Sequence, residues 1–213
     1  MSSDKSGSPP CGIYVRIDDF SNMLDLIGYV RQMAFAINRA SGYEKNMGVV
    51  ELAYSQDVAE RIADIIPIIR AQGLVAVVSG MSDNLDSVDA DGFLLRMEDD
   101  VLKGRASLGE DVILGIHATT KEDAQRALLL NADYLVVPAD PLLIRAVKGG
   151  TDMLCAARGA GLTNKNCGAL VQAGANFVDV SDYILGYEKG VMQATVNILH
   201  AFDVAVQTPD SLH

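Results

Sequence analysis

Two short apolar runs that open alike, Ala90-Asp91-Gly92-Phe93-Leu94-Leu95 and Ala132-Asp133-Tyr134-Leu135-Val136-Val137, constrain the fold of this chain more than any other feature. Each is short, continuously apolar and bounded by polar residues, the pattern of a buried strand. Between them, residues 112–117 form a third such run, and a segment with helical periodicity follows it. Strands that alternate with helical segments are βαβ units, and their long connections force a parallel sheet.

The same alternation runs through the chain. Strands are expected over residues 12–17, 48–52, 74–78, 92–95, 112–117, 134–137, 153–157 and 177–180. Helical patterns follow every strand but the third: residues 23–39, 55–69, 102–108, 121–130, 141–147, 164–173 and 188–206, with polar residues 82–89 leading to the fourth strand. Ser55 is placed to cap the second helix, and Pro67 inside it predicts a kink. Thr119-Thr-Lys-Glu122 has the spacing of a capping box. Strands and helices in this number predict a compact (β/α)8 TIM barrel in one domain over residues 12–208, behind a loose Ser/Gly/Pro-rich tail at residues 1–11. An open doubly wound sheet is the rival. It usually carries a glycine-rich turn after its first strand, where this chain reads Asp18-Asp19-Phe20-Ser21.

Composition narrows the partners. The net charge of −11 repels nucleic acid and anionic membrane, and no run approaches the length of a membrane span. It leaves room for a small phosphorylated metabolite, because backbone dipoles can supply the local positive end. The tail lacks an apolar signal segment, and three cysteines, Cys11, Cys155 and Cys167, have no metal-ligand spacing. Both features predict a cytoplasmic protein with reduced thiols.

In such a barrel the chemistry lies at the C-terminal ends of the strands. Asp99 follows strand four, with Glu98 and Asp100 beside it, as a site carboxylate or as part of a solvated acidic loop. His117 ends strand five, as a site acid or base or as a hydrogen-bonded structural residue. Arg158 and Gly161 follow strand seven, and Ser181 and Asp182 follow strand eight. Gly161, Ser181 and Arg158 are the expected phosphate-binding group; the plainer readings are a tight turn for Gly161 and an exposed side chain for Arg158.

These segments carry a resemblance. Ala90-Asp-Gly-Phe-Leu-Leu-Arg-Met-Glu-Asp99 resembles the ADGVHLGQED strand of the thiamine-phosphate synthase/TenI family. Leu114-Gly-Ile-His-Ala-Thr-Thr-Lys-Glu-Asp-Ala124 is similar to its GVSTHTLEEA, and Asn131-Ala-Asp-Tyr134 to its GADY. Gly161-Leu-Thr-Asn-Lys-Asn166 with Ala173-Gly-Ala-Asn-Phe-Val178 resembles its GGITPEN…AGADGV.

The resemblance implies a phosphate-binding barrel of thiamine biosynthesis. Synthases of the family join a pyrimidine pyrophosphate to a thiazole phosphate with magnesium, and cations stabilise the departing pyrophosphate. The family pattern supplies QLREK after strand two, Asn-Asp after strand three, the Asp of GQED, and a Lys in a TxTK loop after strand six. This chain reads Glu51-Leu-Ala-Tyr-Ser55, Ser79-Gly80 and Pro138-Ala-Asp-Pro141 at three of these places, and keeps only Asp99. TenI-like tautomerases place a His where this chain has Thr119. The expectation is a family barrel that binds a phosphorylated thiazole- or thiamine-type ligand, with His117 as its one acid/base candidate and the synthase reaction lost. The alternative is a non-catalytic binding or assembly protein, including a homo-oligomer.

Overall fold

The computed structural model describes residues 11–40, 47–81, 84–95 and 101–208. Its eight strands are β1 (Gly12–Ile17), β2 (Gly48–Ala53), β3 (Val75–Ser79), β4 (Gly92–Leu95), β5 (Ile113–His117), β6 (Tyr134–Pro138), β7 (Leu154–Arg158) and β8 (Phe177–Asp179). They pair in sequence order and β8 closes on β1, giving a closed, wholly parallel barrel. The (β/α)8 expectation therefore holds. Among the described residues the helices are α1 (Met23–Arg39), α2 (Ala59–Ala71), α3 (Val101–Leu108), α4 (Lys121–Leu129), α5 (Pro141–Lys148), α6 (Gly168–Gln172), α7 (Ser181–Gly186) and α8 (Val191–Gln207). The segments before Cys11, and Asp99 with Arg96 and Glu98, lie outside the described residues.

Period-two alternation sorts each strand into two faces. Outward residues such as Ile13, Val50, Val78, Phe93, Leu114, Leu135, Cys155 and Val178 join the helices in one continuous apolar layer. Inward residues Tyr14, Val49, Val77, Leu94, Tyr134, Val136, Ala156 and Phe177 form a separate cluster inside the barrel. Three aromatic rings fit there because glycines face them. A Cβ on Gly115 would lie 2.1 Å from Cζ of Tyr134, and one on Gly12 would lie 2.5 Å from Cε1 of Phe177.

The repeated Ala-Asp signature has a structural cause. Asp91, just before β4, accepts from Ala76 N–H of β3 at 2.7 Å, and its own N–H donates to the Ala76 carbonyl. Asp133, just before β6, does the same to Leu114 of β5, at 2.8 Å. Asn176, before β8, repeats the device on Cys155 of β7, at 2.9 Å. A cation from a neighbouring helix completes each: Arg70 on Asp91, Arg105 on Asp133, Lys148 on Asn176. These clamps satisfy backbone groups at the N-terminal end of the barrel, opposite the mouth.

Three local expectations change. Ser55 does not cap α2: a 3-10 turn at Gln56–Val58 intervenes, and the Ser55 hydroxyl donates to Asp57 at 2.6 Å. Pro67 lies inside α2, as expected, on its solvent face, where water can take the carbonyl that the missing N–H leaves. The capping box is one residue later than expected: Thr120 is the cap and Asp123 reaches back to it. The last helix, α8, starts three residues later than expected, after Gly190 at φ +89°, and an unexpected short helix, α7, precedes it on the β8 end. All three cysteines are buried and unpaired, and burial pushes the Cys155 and Cys167 thiols up to about 11. None is a nucleophile at neutral pH.

Candidate active site at the barrel mouth

The inward alternation that places Tyr14 and Val77 in the interior brings charged residues up at the C-terminal end. Arg16 pairs in register with Glu51, and Tyr14 with Asp179. Each charge sits between apolar neighbours that face the helices, as in Val50-Glu51-Leu52 and Val178-Asp179-Val180. Arg158, the last residue of β7, reaches across the barrel to both carboxylates. Its Nε donates to Asp179 Oδ2 at 2.7 Å, its Nη2 donates to Glu51 Oε2, and its guanidinium lies 5.3 Å from the centre of the Tyr14 ring.

Glu51 is 1% exposed. Tyr14 Oη donates to its Oε2 at 2.7 Å. Burial works to raise the Glu51 carboxyl, but the Arg158 charge and hydrogen bonds from Ser79, Tyr14 and Arg158 outweigh it and hold the group below the usual carboxylate range. Burial, with Tyr134 and Glu51 beside it, pushes the Tyr14 phenol well up, so it stays a donor. The floor of the mouth is thus an ion pair whose members answer one another's charge.

Two cavities open above this floor, with Arg16 and Arg158 in the wall between them. One, of about 580 Å³, lies against the ends of β1, β7 and β8 and is lined by Arg16, Asp18, Arg158, Gly159, Ala160, Leu162, Asp179, Ser181 and Asp182, among others. The other, of about 490 Å³, lies over β2, β3 and β5 and is lined by Glu51, Tyr54, Ser79, Met81, Leu94 and His117 with the same two arginines. Loops after strands seven and eight, with a short extra helix, are where (β/α)8 enzymes frequently hold phosphate.

Comparison with known proteins decides the family. No family model matches the chain. The thiamine-phosphate synthase of Haloarcula marismortui is 31% identical over 162 residues, 66% of this chain and 77% of that protein. The chain belongs to the thiamine-phosphate synthase family. The synthase of Hyphomonas neptunium is 28% identical over 160 residues, 67% of this chain and 70% of its own length. Among solved structures, the thiamine phosphate pyrophosphorylase of Pyrococcus furiosus superimposes with a TM-score of 0.75 at 18% identity, covering 91% of this chain and 96% of that one. Orotidine 5'-phosphate decarboxylase of Pyrococcus horikoshii gives 0.71 at 13% identity, over 90% of this chain and 99% of that one. At such identities these likenesses show the shared barrel.

Within this divergent family member, the expected site residues are brought together only in part. Arg158 and Ser181 line the 580 Å³ groove, together with Gly159, Ala160 and Leu162. Gly161 belongs to the same loop without lining the groove: its φ of +68° needs glycine, and its carbonyl accepts from Asn166 Nδ2 at 3.0 Å. His117 lines the second cavity. Thr119 lies past the end of β5, and its N–H and hydroxyl both donate to Asp123 in the cap of α4. Asp140 caps α5 by accepting from Leu142 N–H at 2.8 Å.

Ser181 is committed. Its hydroxyl donates to Asp179 Oδ1 and accepts from Arg16 N–H at 2.7 Å, and its own N–H donates to Asp179 at 3.2 Å. The Asp179 carboxylate therefore stands where a ligand's oxyanion would meet those donors. Among the described residues no group of three or more His, Cys, Asp or Glu side chains could hold a metal ion. Glu51 and Asp179 are turned to Arg158, and the expected magnesium ligand, Asp99, lies outside the described residues. Sequence reading passed over Arg16, Glu51, Tyr14 and Asp179. The available signal was a charged residue at an inward position between two apolar outward ones.

Proposed function

We propose that this family member binds a small phosphorylated metabolite of the thiazole- or thiamine-phosphate type at the C-terminal mouth, and that it does not catalyse the synthase reaction. The observation that carries the first half is the groove on the β7 and β8 ends, backed by α7 and floored by guanidinium groups. The N–H of Ala160, which lines the groove, and that of the adjoining Gly161 donate to no acceptor among the described residues, and the first is left for a ligand oxyanion that the Gly161 turn lets approach.

The second half rests on charge. At the positions where the family pattern reads QLREK stand Glu51, Leu52, Ala53, Tyr54 and Ser55. The Arg and Lys are replaced by Ala53 and Ser55, and Glu51 brings a negative charge that Arg158 must answer. A departing pyrophosphate would find no uncommitted cation on β2, and removing one preorganised electrostatic group commonly costs about 10²–10³ in rate. What the mouth retains is acid–base capacity. His117, beside Tyr54, Met81 and Leu94, is placed to move a proton on a ligand held in the second cavity.

Calorimetry tests the binding half, with thiazole phosphate and inorganic phosphate as probes on wild type and Gly161→Val. We expect saturable heat from wild type and its loss in the variant, whose β-branched side chain blocks backbone approach and strains a φ of +68°. A melting curve confirms that the variant is folded. Equal heats from the two proteins would remove the loop from the site.

A further inference from the structure

We infer that Arg16, on β1, is the residue that grips the ligand's anionic group, from a position that none of the family motifs above marks. The inference rests on the reading that an oxyanion-bearing ligand enters the mouth. Among the described residues, two guanidinium groups line that mouth, in different states. Arg158 is 22% exposed and donates to two carboxylates, so an incoming anion would have to displace a buried partner to use it. Arg16 is 43% exposed. Its charged contact is from Nε to Glu51 Oε1 at 3.6 Å, beyond hydrogen-bonding distance, and the other oxygen of Glu51 is taken by Tyr14 and Arg158. The Nη1 and Nη2 groups of Arg16, which present two parallel N–H bonds along their shared edge, donate to no acceptor among the described residues.

The backbone holds this side chain in place. Arg16 N–H donates to Ser181 Oγ, and the residue pairs in register with Glu51, so it rises between the two cavities and lines both. A ligand in either cavity meets the same fork. A planar edge of N–H groups binds phosphate or carboxylate through two parallel bonds, which a lysine cannot reproduce. Asp18 and Asp182 oppose anions from the outer lip, but both are exposed, where water and salt screen them. Because the protein's own Asp179 takes up the Ser181 donors, Arg16 supplies the strongest remaining attraction for a phosphate monoester among the described residues.

Titration calorimetry at fixed ionic strength tests this on wild type, Arg16→Gln and Arg16→Lys, with melting curves to confirm folding. The probes are thiazole phosphate, the corresponding unphosphorylated thiazole alcohol, and succinate. We expect Arg16→Gln to weaken thiazole phosphate by about tenfold or more, the effect of losing hydrogen bonds to a charged group. Arg16→Lys should recover part of the affinity, and the alcohol should bind all three proteins alike. Undiminished binding of thiazole phosphate by Arg16→Gln overturns the inference; if Gly161→Val abolishes that binding, the phosphate reading survives it. Binding of succinate but not thiazole phosphate, lost in Arg16→Gln, would keep Arg16 and overturn the phosphate reading. No binding of any oxyanion by wild type would overturn both.

Discussion

Replacing Arg158 by Met isolates the buried charge at the floor of the mouth. The substitution keeps much of the side-chain volume and removes the cation from between Glu51, 1% exposed, and Asp179, 10% exposed. Breaking a buried pair by removing one partner costs about 3–5 kcal/mol, because the other charge stays behind. Here Glu51 would keep the Tyr14 hydrogen bond and Arg16 at 3.6 Å, which puts the cost at the low end, about 3 kcal/mol. For a domain of this size that lowers Tm by about 6–12 °C. The pH dependence carries the sharper signature. In wild type the Glu51 carboxyl lies below its ordinary value, so its stabilisation is present above the unfolded pKa of about 4.3 and is lost as pH falls through the lower folded value. Without Arg158, burial acts with less opposition and raises the folded pKa. The deficit is then greatest above that raised pKa and shrinks as pH falls through it. Urea denaturation at pH 8 and pH 5 should therefore show the larger loss at pH 8, and Glu51→Gln in the same molecule should recover part of it. A loss under about 1 kcal/mol that is equal at both pH values would refute the reasoning, since it would mark the pair as solvated.

Asp133→Ala should cost about 2 kcal/mol in the same denaturation assay, because it orphans the Leu114 N–H and takes the carboxylate from Arg105, which keeps only the carbonyls of Gly109, Val112 and Asn131; Asp133→Asn should cost less than half of that, since Asn176 fills the equivalent position at β8 with an amide. Tyr134→Phe should be neutral or stabilising by up to about 1 kcal/mol, because the Tyr134 hydroxyl is buried beside the Tyr14 phenol, which already donates to Glu51, without a well-formed hydrogen bond of its own among the described residues, and a clear fall in Tm would show that the Tyr14 contact is a real bond.

The barrel was legible because apolar runs and helical stripes alternate along most of the chain, the link between β3 and β4 being the one without an α-helix among the described residues. The Ala-Asp repeats were legible too, but their carboxylates clamp the strand ends opposite the mouth. The ion pair at the mouth was not, because Glu51 and Arg158 are 107 residues apart and meet only across the closed barrel. Inward parity identifies such residues one by one, yet the partner of each depends on barrel closure. The short α7 also escaped notice, since Ser181–Gly186 is too brief to show a helical period. Its neighbour Asp179 supplies the acceptor that turns Ser181 from an expected phosphate donor into a fixed part of the wall.

Phosphorus-31 magnetic resonance of one sample tests the central claim most directly. The sample holds the protein, thiazole phosphate, pyrimidine pyrophosphate and magnesium. The account predicts that the thiazole phosphate resonance shifts or broadens in proportion to added protein, while neither inorganic pyrophosphate nor thiamine phosphate accumulates. Pyrophosphate released at a rate that follows protein concentration, and abolished by Asp99→Ala, would contradict it, as would a thiazole phosphate resonance that the protein leaves unmoved.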